Sequence, residues 1–457
     1  MNWLDNLKLR VSYGEVGNDG INSSLWSQNW ESTSDKRYQG AVNGAFLPSY
    51  SLGADMANKD LKWETTITRN IGVDFGFFNS RLTGTIDAYW NTTKDLLMKT
   101  AIPGITGFTS TYANVGQTSN KGVEIALQGV LVKTRDWNVT AGFNINFNRG
   151  KVDKLADNVT GLYGTEWATS STFPKSDYVL KEGRPVGLVR GLTADGFYTT
   201  DDFTYENGVY TLKKGVADVS SAVFPNYHLH NGINERPAGQ LAYPGMAKFK
   251  DLNDDGIIND DDVDVIGDMT PVHTGGFNIN ATYKNFDLGL YFNWSYGNEI
   301  YNVNKLAALY GYKEGAVYEN KLSIVKDCYK IYDVVNGELV ALTTLEQLNA
   351  ANANAKLPLA YSENGYVSTL GIEDGSYLRL NTLTLGYTLP KSILQKAGIS
   401  NLRVYGSIYN VFTITGYSGI DAEVSTSTST KTYPQLGMDW GTYPRARSFV
   451  LGVNLSF

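Results

Sequence analysis

The chain predicts an all-β fold, an antiparallel transmembrane β-barrel, and three observations carry that expectation. Strict apolar/polar alternation recurs along the sequence, which is the period of a strand with one greasy and one wet face. The composition suits strands: among 457 residues there are 47 Gly and 30 Tyr, and aromatics reach 12%. The connections are long after odd-numbered strands and short after even-numbered ones. A soluble sandwich has no reason to gather its large loops at one end. An outer-membrane barrel does, with tight turns on one rim and long loops on the other.

About ten strands are expected from the alternation. The first covers Leu7 to Tyr13, with Leu7, Leu9, Val11 and Tyr13 opposite Lys8, Arg10 and Ser12. The second covers Thr66 to Phe77, and a tight turn at Asn79-Ser80 leads into the third, Leu82 to Trp90. The fourth is Val123 to Leu131 and the fifth Trp137 to Phe147. The sixth runs from Phe277 to Tyr283 and the seventh from Phe286 to Tyr296. The eighth, Tyr377 to Leu389, shifts its alternation near Asn381, the mark of a bulge. The ninth is Leu402 to Phe412, and the tenth is the terminal "SFVLGVNLSF".

The long connections are 14–65, 92–122, 148–275, 297–376 and 413–444; the short ones are 79–81, 132–136, 284–285 and 390–401. The polar faces are rich in Asn, Thr, Ser and Gly, as a wet lumen requires. Trp137, Phe286 and Phe457 fall at the short-turn rim, and Trp90, Trp294 and Phe449 toward the other, as two aromatic girdles. Arg69 lies in an outward column and is expected to snorkel to the upper interface. A last strand that closes a barrel ends naturally at the lower girdle. A soluble β-sandwich packing the same greasy faces into a core is the competing fold.

Composition also excludes classes. The net charge is −7, so no basic footprint for nucleic acid exists. No run of eighteen apolar residues marks a membrane helix, but a spanning strand needs only about 9–11 alternating residues. Cys328 is the single cysteine and is expected to be inert. His228 and His230 form a His-x-His pair without a third ligand nearby, and they read as loop residues. The opening "MNWLDNLKLR" shows no secretory pattern, so the protein is expected to begin upstream. No nucleophile elbow, zinc-protease pair or Walker loop occurs, and no enzyme is expected.

The sharpest local signal is "DLNDDGIINDDD" over 251–262. Asp251, Asn253, Asp255, the carbonyl of Ile257, Asn259 and Asp262 fall at the ligand positions of a calcium loop, with Gly256 at its sharp bend. Asp262 stands where a bidentate Glu is usual. Ca2+ in a structural role and a solvated acidic turn are both open here. The long connections also carry Trp26, Trp30, Tyr38, Tyr50, Tyr163 and Trp167, rings that stack on sugars, anchor partners or simply pack the loops. The stretch 304–322 suits a short amphipathic helix.

Several stretches resemble the SusC/RagA-like TonB-dependent outer-membrane transporters. They include "LKLRVSYGEVGN", "LKWETTITRNIGVDFGFFNSRLTGTIDAYWNTTKDLL", "NVGQTSNKGVEIAL", "GFYTTDDF", "KFKDLNDDGIINDDDVDVIGDMTPVHTGGFN", "YLRLNTLTLGYTLP" and "GTYPRARSFVLGVNLSF". The resemblance implies a barrel of about twenty-two strands, of which 1–457 is the C-terminal part, without plug, TonB-contacting segment or signal peptide. Residues 148–275 become a large extracellular insertion. It further implies the outer membrane of a Gram-negative bacterium, a SusD-like surface lipoprotein, the TonB complex, and an oligosaccharide or oligopeptide cargo. The rivals are a self-contained small barrel acting as pore or adhesin, and a soluble calcium-dependent glycan-binding β-protein.

Overall fold

The computed structural model describes residues 3–18, 23–28, 30–33, 40–47, 49–53, 55–156, 159–224, 236–309, 321–360, 365–395, 398–426 and 435–457. All ten expected strands form. They are β1 (Leu4–Asn18), β2 (Glu64–Phe77), β3 (Leu82–Ala101), β4 (Ser110–Lys133), β5 (Trp137–Lys154), β6 (His273–Tyr283), β7 (Phe286–Tyr296), β8 (Tyr377–Thr388), β9 (Asn401–Thr415) and β10 (Ser448–Ser456).

The chain divides into two compact units. One holds 1–162, 181–186 and 275–284; the other holds 163–180, 187–274 and 285–457. In the first unit the sheet order is β1-β2-β3-β4-β5-β6, and in the second β7-β8-β9-β10. Each order follows the chain, and the paired strands whose register is resolved run antiparallel. This is the up-and-down meander of an outer-membrane barrel.

Register places like beside like. Leu9 faces Val73 and Val11 faces Ile71 across β1 and β2, so greasy columns run sideways through the sheet. A slip of one residue would turn every one of them to the polar face. The expected bulge is present. Tyr291 pairs with Thr382 and Phe292 with Leu380, which leaves Asn381 as the extra residue. On its other side Leu380 pairs with Phe412 and Thr382 with Tyr409, and Asn410 takes a positive φ of 51° to fit.

One expected connection is largely strand. Residues 92–122 were to be a long loop, yet β3 continues to Ala101 and β4 begins at Ser110, leaving only 102–109 between them. The pairing runs from Leu96 opposite Gly116 to Ala101 opposite Ser110. Backbone hydrogen bonds carry this hairpin, and its mixed Thr, Lys, Asn and Tyr side chains show no greasy face for periodicity to detect.

Among the described residues the greasy columns carry much exposed apolar surface. Leu7, Leu9 and Val11 are 63–70% exposed, and Leu451 is 89% exposed. Such contiguous apolar surface is not left to water by a folded protein. The sandwich alternative would have buried these side chains, and the structure rules it out.

The second unit has a true core, built by the long connections. Tyr198, Tyr210, Tyr243 and Tyr301 are fully buried, along with Leu192 and Leu306. Its framework is a small sheet ordered Leu162–Gly164, Tyr178–Leu180, Leu188–Leu192, Val263–Asp268. Helix α1 (Val303–Leu309) buries Val303, Leu306 and Leu309 in this core. The expected helix over 304–322 is therefore an interior one where described, and 310–320 lie outside the described residues. Helix α2 (Leu345–Asn352) starts at a capping box, with Thr344 accepting from the Gln347 N–H.

Candidate functional site

Two places bear on function: the polar wall of the sheet and the acidic loop. On the wall, strand register brings charges together over glycine. Arg10 on β1 and Asp87 on β3 both stand opposite Gly72 on the strand between them. With no side chain at Gly72 the guanidinium crosses to its far neighbour. Arg10 donates Nη1 to Asp87 Oδ1 at 2.9 Å and Nη2 to Asp74 Oδ1 at 2.8 Å. A Cβ at position 72 would come within 2.7 Å of the Arg10 guanidinium carbon.

The device recurs. Tyr89 crosses Gly122 to donate its hydroxyl to Asn148 Oδ1 at 2.9 Å, joining β3 to β5. In the second unit Arg403 reaches Asp287 through Nε at 2.8 Å and Nη2 at 2.6 Å, linking β9 to β7 over Gly386 of β8. Thr384 and Ser407 share a 2.8 Å hydrogen bond, and Asn381 donates to Asn293 at 2.6 Å. The wet face is thus cross-tied by paired charges and amides rather than lined with loose ones. That keeps a hydrophilic wall whose charges are paired, although the buried Asn120 and Asn146 side-chain oxygens are left without a hydrogen-bond donor. Arg69 is half-buried on β2 and donates to Thr92 Oγ1 at 3.5 Å.

Higher in the second unit Arg379 is buried and paired with Asp421 and Glu423, the latter at 3.1 Å. Arg445 joins them at 3.3 Å from Asp421 and 2.9 Å from Glu423. This cluster ties the segment after β9 to β8. Sequence reading did not find these sets, because each draws on strands far apart in the chain. A charged residue placed opposite glycine was the only available signal, and it requires the register.

The acidic loop does bring its residues together. Asp251 accepts the Asp255 N–H at 3.3 Å and the Gly256 N–H at 2.7 Å, and Gly256 takes φ 86° as the bend demands. Asn259 Oδ1 accepts the Asp261 N–H at 2.7 Å. Asp262 behaves differently. It is fully buried, and its two oxygens accept the Leu252 and Asn259 N–H groups at 2.7 and 2.8 Å. Both its oxygens already close the loop on itself. Asp251, Asn253, Asp255, the Ile257 carbonyl and Asn259 likewise accept hydrogen bonds from within the loop, and among the described residues no group of three or more acidic, His or Cys side chains is gathered as a metal set.

Among the loop aromatics, Trp26, Trp30, Tyr50 and Tyr163 are exposed, while Trp167 packs edge-on against Tyr301 at 6.4 Å. Tyr38, His228 and His230 lie outside the described residues. His273 opens β6, accepting the Trp294 indole N–H at 3.0 Å and stacking on Tyr296 at 5.0 Å. The Cys328 thiol is buried, and burial pushes its pKa up to about 11.

A consecutive antiparallel meander with an uncovered greasy side and a cross-tied polar side is the wall of an outer-membrane β-barrel. Comparison with known proteins narrows this. The chain belongs to the family described as TonB dependent receptor-like, beta-barrel, whose pattern matches residues 1–411. TonB-dependent receptor P3 of Formosa agariphila is 30% identical over 461 residues, covering 100% of this chain and 40% of that protein. TonB-dependent receptor SusC of Bacteroides thetaiotaomicron is 28% identical, covering 100% of this chain and 38% of the receptor. The solved RagAB peptide transporter matches with a TM-score of 0.69 at 25% identity, over 100% of this chain and 41% of its own. The chain thus spans about 40% of the length of the relatives it matches. Its place is the outer membrane, and its relatives are transporters and receptors.

Proposed function

We propose that the chain forms part of the barrel wall of an active outer-membrane importer, driven through the TonB complex. In this reading it works with a SusD-like surface lipoprotein and admits oligosaccharides or oligopeptides. The observation that carries it is the pairing of an exposed greasy side with a polar side whose charges are tied across strands. A wall of that kind faces lipid outward and passes hydrated cargo inward. Similarity to SusC and to the RagAB transporter supports the choice of an importer over a passive pore.

The large insertion, 148–275, belongs on the outer side in this reading, and its loop 251–262 is a structural Ca2+ site. Its role is to stiffen the insertion. Calcium titration followed by thermal unfolding tests this part: a stabilised insertion supports it, and no change in melting up to millimolar Ca2+ rejects it.

Deleting the gene in its native host tests the main proposal. Loss of uptake of one oligosaccharide or peptide, restored by the gene and abolished by uncoupling the proton gradient, supports energised import. Uptake that survives uncoupling indicates a passive pore.

A further inference from the structure

The second unit contains a cleft of about 490 Å3 that no part of the wall explains. Three stretches build it: 170–176, 221–223 with Asp260 beside them, and Arg190 from the strand Leu188–Leu192. Its volume is that of a small-molecule site or of a subsite for one unit of a longer ligand. Phe173 and Val223, both buried, supply part of its apolar lining.

Arg190 is the unusual member. It is half-buried, and its Nη1 donates to Ser176 Oγ at 2.7 Å while the guanidinium lies 4.8 Å from the centre of the Tyr163 ring. Among the described residues it makes no ion pair. Burial lowers its pKa against the weaker pull of Tyr163 and Asp260, and its side-chain hydrogen bond goes to Ser176 rather than to Asp260. A guanidinium has five N–H donors in a planar fork, and one of them is used here. Elsewhere in this protein such cations are answered by carboxylates, as at Arg10, Arg379 and Arg403. Lys175 adds a second, exposed cation, so two positive charges face one negative across the cleft. Ser170, Ser171 and Ser221 also line it.

We infer that this cleft binds an oxyanion, a carboxylate or sulfate group carried by the cargo, with Arg190 as the anchor and Ser176 and Tyr163 holding its plane. A planar fork with free donors matches two oxygens of such a group in a bidentate manner. The inference rests on the importer reading for its role and names the cargo class as anionic. Equilibrium binding needs no transport, so its failure and the failure of the importer reading are distinguishable.

The test is calorimetric titration of the whole 457-residue chain in detergent. Glucuronate, glucose 6-sulfate and N-acetylalanine are the anionic probes, and glucose is the neutral one. Binding of at least one anionic probe, none of glucose, and a loss of about tenfold or more in Arg190→Gln support the site. Glucuronate against N-acetylalanine separates a saccharide source from a peptide one. The absence of binding by all anionic probes, or equal affinity in Arg190→Gln, overturns it. If Arg190→Gln fails to fold, Lys175→Gln at the rim decides: a several-fold loss with a weaker salt dependence supports the site, and unchanged affinity overturns it.

Discussion

Leu451→Arg tests what surrounds the sheet. Leu451 sits in the middle of β10, 89% exposed, opposite Gly406 of β9. It touches little, so replacing it removes almost no packing and reports the medium alone. In lipid, arginine at mid-depth costs about 2–4 kcal/mol, a fall of roughly 30- to 1000-fold in the folded-to-unfolded ratio. In water an exposed substitution stays within about 0.5 kcal/mol. Ser456→Arg, on the wet side of the same strand and opposite the uncharged Asn401, is the control and is expected to be near neutral. The assay is urea unfolding in phosphatidylcholine vesicles, read from migration on unboiled gels. A Leu451→Arg effect no larger than that of Ser456→Arg would refute the lipid-facing assignment of the whole greasy side.

Three further outcomes are expected. Gly191→Ala destabilises the second unit by about 1–3 kcal/mol, because a Cβ there would strike the Val367 carbonyl and lie 2.8 Å from Ile266; a wild-type melting temperature would show that the strand can shift. Cys328, with its pKa near 11, is expected to resist a thiol reagent at pH 8, where about one part in a thousand is thiolate, and to react fully in denaturant. Burial pushes the Asp202 carboxyl up, but Lys248 at 2.8 Å and the Thr199 groups outweigh it, so its pKa is lowered on folding. Its stabilisation is complete above the unfolded value of about 4 and is lost as pH falls through the folded one. Asp202→Asn is therefore expected to cost about 1–3 kcal/mol at pH 7 and progressively less below pH 4; an equal cost at pH 2.5 would contradict this.

The strands were legible because the membrane imposes a period. Each spanning segment must show lipid one face and water the other, so a single strand such as Phe286–Tyr296 announces itself without its neighbours. The bulge at Asn381 was legible for the same reason, as a break in phase. The hairpin between Leu96 and Thr111 was not, since beyond the greasy zone nothing forces alternation. The core built from the long connections was equally silent: its strands, such as Tyr178–Leu180, are too short to show a period. The acidic loop was legible in spacing, whereas the inward turn of Asp262 was not.

The sequence by itself determined the wall: which residues form strands, and which side of each meets lipid, because hydrophobic alternation is a local property of the chain. Tertiary structure alone decided the chemistry on the wet side and in the long connections. Arg10 meets Asp87 over Gly72, and Arg190 meets Ser176 and Tyr163, only when register and fold carry separate stretches together. Charge pairing acts over a few ångströms in space and is blind to distance along the chain.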